Sequence, residues 1–211
     1  MYSESILKAL TLAKRNLVDM IYKNANVEGL GTTFPKTDAI LNNAPTNTRL
    51  EEVLFIINMR EAYHFLFDNL DYANCVMLIR QLNKICGDKL FYGAGQARKQ
   101  NVTIGGTSWV PPIPIESEVT DDINNINKIE DPVSKALAYF CYLCRTQIFI
   151  DGNKRVAQLI ANKVLIENGI GILSIPVERL EEFDYLLVRY YETNDARDLC
   201  TFLCHYCIER V

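Results

Sequence analysis

The nine residues Gln147 to Arg155 read QIFIDGNKR and bring together the groups that handle phosphate. Asp151 offers a hard carboxylate oxygen of the kind magnesium takes, and Arg155 offers a charge-assisted donor for an anion. Gly152 and Asn153 suit a tight passage from loop to helix. The residues that follow, Val156, Leu159, Ile160 and Val164, recur at helical spacing, which sets a helix start at Asp151 to Lys154. Such a start presents N–H groups without partners and the positive end of the helix dipole, so it attracts anions. The chemistry suggested is binding of nucleotide phosphates.

The elements that must position this segment are mostly helical. Ile6, Leu10, Ala13, Leu17 and Ile21 predict one amphipathic helix over the first two dozen residues, ending near Asn24–Gly29, NANVEG. A Thr-, Asn- and Pro-rich loop, Thr32–Thr48, leads to helical patterns over Leu50–Phe67 and Asp71–Cys86. Between Gly87 and Pro114 the period stops. There Val102–Ile104 and Ser108–Val110 predict a short hairpin across Gly105, Gly106 and Thr107, with an edge that could hold an extended peptide. Helices are predicted again over Ser117–Ile129, Pro132–Thr146, Asn153–Asn168, Val177–Tyr190 and Ala196–Ile208, with Asn168-Gly169 as a C-cap. The expected class is mainly α, a helical bundle with one small β element. Residues 1–48 form an N-terminal helix and connecting loop, and residues 49–211 the main domain, the two making one unit.

With QIFIDGNKR in view, the chain resembles the Fic (Fido-domain) family, whose motif is HPFx(D/E)GNxR and whose members move AMP from ATP onto a hydroxyl of a target protein. Phe149, Asp151, Gly152, Asn153 and Arg155 match, while Gln147 stands at the family's catalytic His and Ile148 at its Pro. The likeness extends from about Asn24 to Asp195: Asn101–Pro114 is similar to the segment through the flap hairpin, and Asp131–Gln147 to the helix that delivers the motif. NANVEG is similar to the inhibitory motif (S/T)xxxE(G/N), with Asn24 at the hydroxyl position.

The resemblance implies a Fic-fold helical bundle with a β-hairpin flap, and ATP with magnesium as cofactors. It implies a nucleotide held by Phe149, Asp151, Gly152, Asn153, Lys154 and Arg155. Asp151 would hold magnesium through the nucleotide's phosphates, and Glu28 would be inhibitory. A protein target would lie along the flap near Thr103–Val110. Gln147 cannot act as a base, because an amide nitrogen is not basic; loss of a general base costs about 10²–10⁴ in rate, so transfer is weakened or lost. Lys154 resembles the Doc branch, which keeps phosphate transfer open as an alternative. A non-catalytic nucleotide- or peptide-binding module is another. Gln158 replaces a second Arg of the motif, which bears on both γ-phosphate binding and inhibition by Glu28.

Composition bounds the rest. The 211 residues, 49% hydrophobic, suit one domain, and a net charge of −4 without a basic run argues against nucleic acid as a partner. No apolar run of about 18 residues occurs, so a soluble, cytoplasmic protein away from membranes is expected; an oligomer is compatible with this composition. Seven cysteines fall mostly in helical patterns and suit a reducing compartment, with Cys141/Cys144 and Cys204/Cys207 as CxxC pairs read as buried thiols rather than zinc ligands.

Overall fold

A computed structural model describes residues 2–211. Its helices are α1 (Glu4–Arg15), α2 (Leu17–Val27), α3 (Phe34–Leu41), α4 (Leu50–Asp68), α5 (Val76–Cys86), α6 (Glu116–Asn127), α7 (Pro132–Thr146), α8 (Asn153–Glu167), α9 (Leu180–Thr193) and α10 (Arg197–Phe202). Two short strands, β1 (Gly171–Leu173) and β2 (Ile208–Arg210), pair antiparallel with Ile172 opposite Glu209. The mainly α expectation with a small β element holds. No helix among the described residues is long and apolar enough to cross a membrane.

Helix α8 forms the centre. Every residue from Arg155 to Ile166 is buried, and α7, α5, α4, α1 and β1 surround it. A helix covered on all sides must satisfy its polar residues internally. Asn162 does so by donating to Gln158 O and Leu173 O and accepting from Leu173 N, at 2.8–2.9 Å. Lys163 donates to Leu70 O at 2.9 Å and pairs with Glu167 at 2.6 Å. The start of α8 is thereby carried on the most constrained element of the molecule.

Several boundaries differ from the sequence expectation. The N-terminal helix is two helices, broken at Asn16, whose side-chain amide bonds back to Leu12 O at 3.0 Å and competes with the ladder. The Thr32–Thr48 loop contains α3, started by Thr33 as N-cap and Pro35 in the first turn. Helix α5 begins at Val76, and the 177–190 pattern opens with a 3-10 turn, Val177–Arg179. The last pattern is α10, then a π turn over Leu203–Cys207, then β2.

The strand ladder also forms away from Val102–Val110. Gly105 and Gly106 do turn there, but the arms are not paired. Ser108 N–H goes to the Glu192 carboxylate at 2.6 Å instead, and Pro111, Pro112 and Pro114 have no N–H to give. At β1 the geometry demands Gly171: a Cβ there would sit 1.9 Å from Glu209 O.

All seven cysteines are free thiols. Cys141, Cys144 and Cys207 are buried, and Cys141 Sγ touches Cys200 Sγ at 3.7 Å.

Candidate functional site

The QIFIDGNKR segment is the connection between α7 and α8, and nearly every polar group in it is occupied. Gln147 ends α7 in the left-handed region, φ 49°, a conformation that costs a non-glycine residue about 1 kcal/mol. Three bonds hold it there. Its side-chain amide donates to Cys144 O at 2.6 Å and accepts from Asn153 Nδ2 at 2.9 Å, and its carbonyl accepts from Arg98 Nε at 2.6 Å. Asn153 also accepts from Phe149 N and donates to Phe149 O, so one amide closes the loop from both ends. Phe149 is 1% exposed and anchors the loop in the core; it does not line the cleft.

Helix α8 starts with Gly152 at φ 81°, and no side chain caps it. The N–H groups of Asn153, Lys154 and Arg155 therefore face outward without an intrahelical acceptor. A side chain at position 152 would place Cβ 2.9 Å from Asn83 Nδ2 in a left-handed backbone, so glycine is required. Asn83 was not singled out in the sequence. It is buried in α5, donates to Asp151 O at 2.8 Å and accepts from Gly95 N at 2.8 Å, tying the motif to the 93–96 turn. Arg98 carries no sequence signal of its role either. It is 2% exposed and donates to the carbonyls of Gln147, Gln100, Pro111 and Pro112, so one guanidinium joins α7's end to the flap segment.

Asp151 is about half exposed, accepts from Gly152 N at 2.6 Å and pairs with Arg155 at 2.7 Å. Arg155 lies beneath the loop rather than in the cleft wall: it donates to Cys86 O at 3.2 Å and sits between Phe55 and Phe91, 5.2 and 5.4 Å from their ring centres. Burial works against its charge, but Glu28 and Asp151 more than offset this and raise its pKa. Burial pushes the neighbouring Cys86 thiol up to about 12, which keeps it neutral. Lys154 donates to Val27 O, a free carbonyl at the end of α2, at 2.9 Å, and approaches Glu28 Oε2 at 3.9 Å. Glu28 Oε1 is buried with no partner.

These groups border a cleft of about 540 Å³, within the usual range of ligand sites. Glu28, Gln147, Asp151, Gly152, Asn153 and Lys154 line it, together with Thr103–Gly106 of the flap segment and Asp184, Leu187, Val188 and Tyr191 of α9. Burial raises the Asp184 carboxyl, with Lys154 opposing. Three carboxylates against one lysine make the lining acidic apart from the helix start. No group of three or more His, Cys, Asp or Glu among the described residues could hold a metal unaided. Asp151, with an exposed carboxylate beside a helix start, fits an ion whose other oxygens come from phosphates and water.

Residues 74–165 match the Fic/DOC family. The chain is 23% identical over 204 residues to protein adenylyltransferase fic-1 of Caenorhabditis briggsae and of Caenorhabditis elegans, covering 88% of this chain and 39% of each relative's length. It thus spans about two-fifths of these curated relatives. Among solved structures, C. elegans Fic-1 (residues 134–508) superposes with TM-score 0.78 at 20% identity, over 98% of this chain and 64% of that one. A Fic domain containing signaling protein from Bacteroides thetaiotaomicron gives TM-score 0.73 at 21% identity, over 88% and 75%. The motif lies inside the matched stretch, and the fold around it is that of the solved Fic proteins.

Proposed function

We propose that this protein binds ATP with magnesium at the start of α8, and that it is a protein adenylyltransferase in plan whose transfer step is weakened or lost. The observation that carries the reading is the uncapped N-terminus of α8, with the half-exposed Asp151 beside it, opening into a cleft of nucleotide size. The N–H groups of Asn153, Lys154 and Arg155 would receive phosphate oxygens, and Asp151 would hold magnesium through them. When bound, the ion supplies charge neutralisation for the phosphates. It is needed because the cleft is acidic. A target segment along Thr103–Val110 would bring its hydroxyl toward Gln147, whose amide is already committed to Cys144 and Asn153 and cannot take a proton. His64 and His205 are exposed on other elements and do not line the cleft. Transfer of phosphate instead would need Lys154 on the nucleotide, whereas here it is held by Val27 and Glu28.

ATP with magnesium should raise the melting temperature by roughly 5–10 °C at a hundredfold excess over Kd. Magnesium-free ATP should do much less. Asp151→Asn, which keeps a polar group against Gly152 and Arg155 but removes the charge, should abolish the magnesium-dependent part in a thermal-shift assay. A wild type indifferent to ATP with magnesium at millimolar concentration would remove the basis of this reading.

Glu28 is read as the inhibitory group. Its carboxylate lines the cleft with one oxygen buried and unpartnered, and like charges in a partly desolvated pocket repel more than in water. Glu28→Gly should therefore tighten ATP by about fivefold and ADP much less, measured by calorimetry. Equal changes for the two nucleotides would make Glu28 an ordinary carboxylate.

A further inference from the structure

A second groove, of about 370 Å³, runs between the flap segment, α6 and α7, and shares no lining residue with the nucleotide cleft. We propose that it docks an extended protein segment in which aliphatic side chains adjoin a lysine or arginine. The proposal rests on reading the flap as the place where a protein target is held, and adds what that target must carry.

Two features define the occupant. Val110, Ile113 and Ile115 are 52%, 46% and 53% exposed within six residues of chain, an apolar concentration that a soluble surface leaves open where something covers it. The rim supplied by α6 is acidic: Glu118 and Asp122 line the groove, Asp121 adjoins them, and no lysine or arginine follows until Lys128, while Glu116 is turned away to Arg80. Arg145 is the one cation in the lining, and it is turned inward, stacked 3.8 Å over the Trp109 ring and donating to Tyr191 O. An apolar segment with a neighbouring cation complements such a surface; an acidic segment does not.

The wall also holds Trp109 Nε1 and Arg145 Nε, both buried without a hydrogen-bond partner. Leaving such groups unpaired is costly, and a main-chain carbonyl of a docked segment would relieve that cost after a small side-chain rotation. The flap links the two sites. Thr103–Gly106 line the cleft, Trp109–Ile115 line or border the groove, and Glu192 pins the chain between them through Thr107 and Ser108. A segment seated in the groove is therefore held beside the flap residues that border the nucleotide.

The test is selection of the whole chain, without nucleotide, against a displayed library of random dodecapeptides, followed by fluorescence polarisation with the selected peptides as synthetic probes. Selected sequences should place Lys or Arg within a few residues of Leu, Ile or Val. Their affinity should fall at least about tenfold in Glu118→Lys/Asp122→Lys and in Ile113→Asp, and stay unchanged in Glu181→Lys, an exposed α9 position outside the groove. Failure to select any peptide, selection of acidic or uncharged peptides, or indifference to the groove variants would overturn the proposal. So would self-association of the chain that Ile113→Asp abolishes, since the occupant would then be a second copy. Peptide binding should persist in Asp151→Asn, so loss of the ATP response and loss of groove binding are read independently.

Discussion

Replacing Arg98 with methionine should lower the stability of this protein by about 3–5 kcal/mol, a melting temperature drop of roughly 10 °C or more. The side chain is 2% exposed and serves the carbonyls of Gln147, Gln100, Pro111 and Pro112 at 2.6–3.1 Å. Methionine fills much of the same volume but donates nothing, so these acceptors lose their partner in a place water reaches poorly. Each buried acceptor left unpaired costs about 1–3 kcal/mol, and partial relaxation keeps the sum below the simple total. The Gln147 carbonyl is among them, and Gln147 sits in a strained left-handed conformation, so the site loosens along with the fold. Arg98→Lys should recover only part of the loss, because one ammonium cannot serve carbonyls that a planar fork reaches in several directions. Chemical denaturation of the three proteins measures this directly. A methionine variant within 1 kcal/mol of wild type would show that water takes over the bonds and that Arg98 is dispensable.

Gln147→His should raise transfer of AMP to protein by about 10²-fold, the lower end of what a general base contributes. The structure favours this variant. Gln147 uses one donor and one acceptor, toward Cys144 O and Asn153 Nδ2, and a neutral imidazole also has one of each. Histidine can therefore keep one of these bonds and turn its other nitrogen to the cleft without emptying the site of partners. Two departures limit the gain: Ile148 in place of proline and Gln158 in place of a second arginine. Incorporation of label from the α-phosphate of ATP, with Gln147→His/Asp151→Asn as the control, reports the effect. Should Gln147→His bind ATP with magnesium and still label nothing, the missing base is not the main defect, and the binding-module reading gains ground.

Much of this protein is legible in its sequence. Helical periodicity placed α4, α6, α7 and α8 to within a few residues, because their apolar residues recur at a spacing that is read locally. The QIFIDGNKR segment pointed to a helix start at the right residues, since Gly152 and Asn153 encode the turn locally. The sequence did not reveal what each polar residue would contact. Asn83 and Arg98 read as ordinary helix and loop residues, yet they hold the motif from 68 and 49 residues away in the chain. Phe149 and Arg155 fit a phosphate motif, but the fold turns the first into the core and the second beneath Asp151. The expected ladder at Val102–Val110 was lost to Glu192, 84 residues away in the chain from Ser108, while Gly171–Leu173 found its partner in the last residues of the chain. Short-range pattern determined where α4, α7 and α8 start. Tertiary structure alone decided which donors meet which acceptors, because those pairings depend on distances between segments that no spacing along the chain records.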